Sequence, residues 1–240
     1  MTSTSKNARI AGSLYLLLVI VGPLRLMYIP SKLFVHGNAP ATAANIAAHE
    51  TLFRLGIASD LFTGTMAIFL MLALYRLFKR VDQDLARLVV ILGSLMVTPI
   101  YFVNTLNDTA ALTLVRGADF LSAFEKPQRE ALAMLFLRLH HSGVVVNEIF
   151  WGLWLFPFGL LVYRSRFVPR ILGVWLVINC FAYLVISFTG VLLPHYEQRV
   201  SQWVFPAMLG DLAVMLWLLI KGAKERPSRF PAASSPPAAA

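Results

Sequence analysis

Residues 52–77 read LFRLGIASDLFTGTMAIFLMLALYRL. The charges in this stretch are Arg54 and Arg76 near its ends and Asp60 between them. A helix needs about 20 mostly apolar residues to cross a bilayer, so the stretch predicts a membrane span. A carboxylate inside such a span is costly in hydrocarbon. It must face protein or water and find a partner. Glu148 and Asp211 repeat the pattern, each an acid within a long apolar run.

Five further stretches have the length and composition of a span. They cover residues 10–28, 85–106, 144–163 (with an amphipathic lead-in from 130), 171–193 and 204–220. The whole chain agrees with this reading. Of its 240 residues, 58% are hydrophobic and 14% charged, and the mean hydropathy is +0.69. That is more apolar surface than a soluble domain of this length hides. The formal net charge is +9. No aromatic-basic nucleic-acid motif accompanies it, so a nucleic-acid partner is not expected. The single cysteine, Cys180, lies in an apolar run and rules out an internal disulfide or a multi-Cys metal site.

The basic residues instead fix an orientation. Lys6 and Arg9 precede the first span. Arg76, Lys79, Arg80 and Arg87 flank the second connection. Arg164, Arg166 and Arg170 fill the fourth. Lys221, Lys224, Arg226 and Arg229 follow the last span. Six spans put all four groups on one side, and short loops rich in Lys and Arg stay cytoplasmic. The expected architecture is therefore an all-α, six-transmembrane-helix bundle with both termini cytoplasmic. It divides into a cytoplasmic N-terminus (1–9), a membrane domain (10–222) and a disordered cytoplasmic tail (223–240). The first span is read as a retained helix, because the small-residue stretch after it lies too far on for a cleavage site. Pro23 is expected to kink it. Residues 30–50 and 107–129 read as long connections on the far side, the second with a short surface helix over 117–124. Pro127 suits the first turn of the helix that follows.

Several motifs carry a family resemblance. Residues 140–143 read HHSG, 147–159 read NEIFWGLWLFPFG, and 163–173 read YRSRFVPRILG. ARIAG at 8–12, FRLGIASD at 53–60 and LWLLIKG at 216–222 complete the set. Over residues 8–222 the chain resembles the domain-of-unknown-function 4386 family of bacterial integral membrane proteins. The resemblance implies a multi-pass protein of the bacterial cytoplasmic (inner) membrane and names no activity. Where it implies a glutamate after Gly210, this chain has Asp211.

Helix rise places the polar residues in depth. Arg25 is 16 residues past Arg9, Asp60 is 16 before Arg76, Glu148 is 16 before Arg164, and Asn104 is 17 past Arg87. Each offset is about 24 Å of straight helix, so the four share a level in the outer half of the membrane. Asp211, 10 residues before Lys221, falls about 15 Å up, near the midplane. His141 shares a helical face with Glu148, and His140 lies further round. The candidate ligand-binding residues are Arg25, Asp60, Asn104, His141, Glu148 and Asp211. In this reading Arg25 binds an anionic group, and Asp60 or Glu148 takes a proton or cation. No cofactor is expected. The His pair lacks the i, i+4 spacing of a metal site. The leading function is binding or transport of a small solute or ion. The alternative is a structural or partner-binding subunit whose polar belt only joins helices. An enzyme using His141 and Glu148 as acid and base is a third option. Substrate and oligomeric state are not written in the sequence.

Overall fold

The computed structural model describes residues 3–223. They form helices, with no strand among the described residues. Six helical units are long and apolar enough to cross a membrane: Thr4–Leu33, Glu50–Phe78, Gln83–Arg116, Lys126–Ser165, Arg170–Leu192 and Pro194–Ile220. Large apolar side chains such as Ile20, Leu55, Phe69, Leu95, Val103, Ile178 and Trp203 are exposed around the bundle. An apolar surface of this extent suits lipid rather than water. The part of the tail from residue 224 on lies outside the described residues.

The two ends of the bundle are held differently. Ala8, Phe78, Val168 and Ala223 share one buried cluster with Phe158, Leu161, Met215 and Leu218. That places Ala8 and Ala223, near the two ends of the described residues, and the two basic connections at one end of the bundle. Arg164 Nη1 donates to Asp82 Oδ2 at 2.6 Å and ties those connections together. At the opposite end Ile29, Leu33, Ile46, Phe53, Leu112 and Leu137 form a second cluster.

Between neighbouring spans, side chains bond to backbone carbonyls. Thr98 Oγ1 donates to Gly64 O at 3.1 Å, Asn147 Nδ2 to Val97 O at 3.5 Å, and Ser187 Oγ to Val145 O at 2.5 Å. Such bonds replace the hydrophobic drive that lipid removes. Close backbone approach does the rest. A Cβ on Gly12 would lie 2.6 Å from Leu219 N, and one on Gly159 would lie 2.7 Å from Gly173 O.

Four elements depart from the sequence reading. The third span does not stop near residue 106 but stays helical to Arg116, where Gly117 closes it in a left-handed turn. The connection at 30–50 contains a ten-residue helix, Ala39–Ala48, capped by Asn38. The short surface helix expected over 117–124 is reduced to one turn, Asp119–Leu121. The fourth span starts at Lys126, with Pro127 in its first turn, and breaks between Leu153 and Leu155. After Pro23, which has no N–H to donate, the first span widens into a π-helical turn, Leu24–Tyr28, closed by Ile29 N–H to Leu24 O. The widening there is the form the expected disturbance takes.

Filling a close glycine-to-backbone contact should therefore hurt. Gly12→Val is expected to cost about 1–3 kcal/mol through overpacking against Leu219. Gly22→Ala, with nothing within 4 Å of its added Cβ, should leave stability unchanged or slightly raised. Thermal melts of the two variants in detergent check the contrast.

Candidate functional site

Four spans each deliver one buried polar side chain to a common point. In the π turn, Arg25 is the buried residue among exposed neighbours. Asp60 comes from the second span, Asp108 from the third and His140 from the fourth. Their exposures are 5%, 2%, 1% and 9%. Arg25 Nε donates to Asp60 Oδ2 at 2.7 Å, and Nη2 donates to Asp108 Oδ2 at 2.6 Å. One guanidinium fork thus joins three helices. Three members lie about one turn from the apolar cluster at the opposite end, Arg25 from Ile29, Asp108 from Leu112 and His140 from Leu137, and Asp60 lies two turns from Phe53. The quartet sits directly beneath that cluster.

The imidazole completes the group. Arg25 Nη2 is 2.8 Å from His140 Nε2 and 3.2 Å from Nδ1, so the guanidinium nitrogen lies over the ring. On the other side His140 Nδ1 faces Asn104 O at 3.3 Å and Asp108 Oδ1 at 3.2 Å. With both carboxylates ionised, two negative charges meet one positive charge. The quartet then keeps one unit of negative charge in a dry interior, where an unbalanced charge is expensive.

One ligand atom each from Asp60, Asp108 and His140 lie within 4.8 Å of one another, close enough to surround a metal ion. No spacing in the sequence announces this grouping. Arg25 bonds Oδ2 of both aspartates, so a side-chain cation already stands among these atoms.

The residues singled out from the sequence separate into three places. Arg25 and Asp60 pair directly. Asn104 adjoins them through its carbonyl, while its side chain occupies the space beside Gly143, where a Cβ would collide with Oδ1. Glu148 lies eight residues past His140, about 12 Å along the helix. It has no ion pair with Arg25 among the described residues and faces Glu197 instead. Its Oε2 is buried without a hydrogen-bond partner. His141 has a side chain 63% exposed and approaches Glu197 at 3.4 Å, not Glu148. Asp211 lies apart, against Tyr15 and Asn179.

Asp108 and His140 were missed as site residues. Asp108 was assigned to a connection because the apolar run weakens after Leu106. It nonetheless falls four residues after Asn104, on the same helical face. His140 continues the spacing of Ala133 and Leu137, both buried. That spacing was the available signal for an inward histidine.

Comparison with known proteins bears on the whole chain. A family model described as "Domain of unknown function (DUF4386)" matches residues 10–222, and the chain belongs to that family. An uncharacterized protein of Archaeoglobus fulgidus is 31% identical over 91 residues, which are 37% of this chain and 51% of the relative. The chain thus spans about half the length of that curated relative. No solved structure matches the chain.

Removing one charge from the quartet strands the others. Arg25→Met should lower the unfolding free energy by about 3–5 kcal/mol, because two buried carboxylates lose their partner. Arg25→Met combined with Asp60→Asn and Asp108→Asn should recover much of that loss. His141→Ala, at an exposed position, should stay within about 0.5 kcal/mol of wild type. Denaturant unfolding of the purified variants in detergent measures all three.

Proposed function

We propose that this member of the DUF4386 family is a proton-linked membrane protein that binds or carries a small anionic solute. The observation that supports the reading is the charge imbalance of the buried quartet. A proton on His140 brings the four groups to neutrality. The same proton places an imidazolium 2.8 Å from Arg25 Nη2, and two cations at that distance repel. Proton uptake and the present seat of Arg25 therefore oppose each other. When Arg25 shifts, its planar fork is available to a carboxylate or phosphate of the solute. When the proton leaves, Asp60 and Asp108 draw the guanidinium back.

A second reading is a structural clamp, in which the quartet only fixes the register of four spans. The close packing favours it. Two open hollows among the described residues lie elsewhere, one along Ala47–Leu55 and one between Leu106 and Phe136. Neither is lined by a member of the quartet.

The basic connections, with Ala8 and Ala223 beside them at one end, support a cytoplasmic orientation for that end, in a bacterial cytoplasmic membrane. Alkaline phosphatase fused after Ser122 should be active, and fused after Lys221 it should be inactive. The reverse pattern would invert the orientation.

Proton movement separates the two functional readings. Proteoliposomes loaded with a pH-sensitive dye and driven by a potassium diffusion potential should admit protons faster than protein-free vesicles, with succinate outside as the anionic probe. His140→Ala and Asp108→Asn should slow entry by about tenfold or more, the factor given by 1.4 kcal/mol of lost coupling. Wild-type vesicles that behave as protein-free ones, with and without succinate, would leave the clamp as the function.

A further inference from the structure

Away from the quartet, a second set of polar atoms is buried where the first, fifth and sixth spans meet. Asp211 faces Tyr15 and Asn179. Asn179 is fully buried and Tyr15 is 6% exposed. Tyr15 Oη, Asn179 Oδ1 and Asp211 Oδ1 are each buried without a hydrogen-bond partner. The packing around them is specific. A Cβ on Gly210 would meet the Trp175 ring at 3.0 Å, so the fifth span lies close beside the residue before Asp211. Asn179 stands one turn beyond Trp175 and anchors to the sixth span by donating from Nδ2 to Met208 O at 3.4 Å. Its amide oxygen is the end left unused. None of the ion pairs among the described residues includes Asp211.

We propose that Tyr15, Asn179 and Asp211 form a binding site for a monovalent metal cation of the sodium type. The reasoning is chemical. The three atoms are a carboxylate, an amide carbonyl and a phenol oxygen, all hard donors that suit cations such as sodium rather than soft metals. A single carboxylate balances a single charge, so a divalent ion would leave the interior charged. The Tyr15 O–H can donate to the Asp211 carboxylate, but that leaves the carboxylate charge and the Asn179 amide oxygen unmet, whereas a cation among the three meets both. The atoms come from three separate spans, so bound cation would hold the first, fifth and sixth together. The site shares no residue with the quartet and does not depend on the transport reading.

Full-length protein purified in detergent is melted in sodium, potassium or N-methylglucamine chloride at one ionic strength and pH, followed by tryptophan fluorescence. For wild type the apparent Tm should rise along a saturable curve in sodium and stay flat in N-methylglucamine. Asp211→Asn should abolish the response. Tyr15→Phe and Asn179→Ser should each raise the half-saturating sodium concentration by about tenfold, as loss of one supporting ligand does. Asp84→Asn, in an exposed pair with Arg87, should keep the wild-type curve. If Asp211→Asn does not fold, the two milder variants and binding of radioactive sodium to wild type decide the matter. Identical melting of wild type in all three salts, with pH alone moving it, would mean that a proton neutralises Asp211 and would overturn the proposal.

Discussion

An arginine cannot be left in hydrocarbon, and the opposite half of the bundle is arranged around that constraint. Arg25 is carried inward by a π-helical turn and held by carboxylates from two other helices. The fork geometry matters here. Nε and Nη2 point along different directions from one plane, so a single side chain engages Asp60 and Asp108 at once. A lysine offers one point charge and would not fix two helices in the same way. The first span could not rotate or slide by a residue without breaking both bonds, so the register of three helices is set together.

The other half of the bundle relies mainly on close backbone approach, with the Arg164–Asp82 pair tying its connections. There the contacts are backbone against backbone, through Gly12 on Leu219 and Gly159 on Gly173. Close-packed backbones have one good arrangement, because small displacements produce clashes or lost dispersion. A charge cluster differs. Its energy depends on protonation, and two arrangements with different proton counts can lie close in free energy. The quartet is therefore a place where a protonation event can change the structure, whereas the glycine contacts tolerate little displacement.

The six spans were legible because apolar length is a strong signal and basic loops repeat it independently. Arg25 and Asp60 were also legible, since counting from Arg9 and Arg76 brought them to one depth before any contact was known. The same counting failed for Glu148. Depth was measured from Arg164 along a straight helix, and depth says nothing about which way a side chain turns. Asp108 was hidden for another reason. Hydropathy falls after Leu106, yet the third span remains helical to Arg116 because Ala111, Leu112 and Leu114 continue to be buried. Hydropathy reports contact with lipid, whereas this turn contacts protein. His140 and His141 show the limit most directly. Adjacent residues on a helix differ by about 100°, so one faces Arg25 and the other the surface, and composition treats them alike.

Taken together, Asp211 and the quartet show two responses to the same electrostatic problem. In the quartet one of the two negative charges is met by a tethered cation, and in the proposed function a proton meets the other. At Asp211 no tethered cation approaches among the described residues. Its polar neighbours are instead the neutral side chains of Tyr15 and Asn179. A side-chain cation is a permanent answer that constrains the fold whatever the surroundings. A free cation is a conditional one, present only when its concentration allows, and it makes the packing of the first, fifth and sixth spans depend on the solution by mass action. The first span is common to both sites. It carries Tyr15 to one and Arg25 to the other, ten residues or about 15 Å apart along one helix. Any shift of that helix driven at one site is felt at the other, so the π turn after Pro23 lies where relative movement between them can be absorbed.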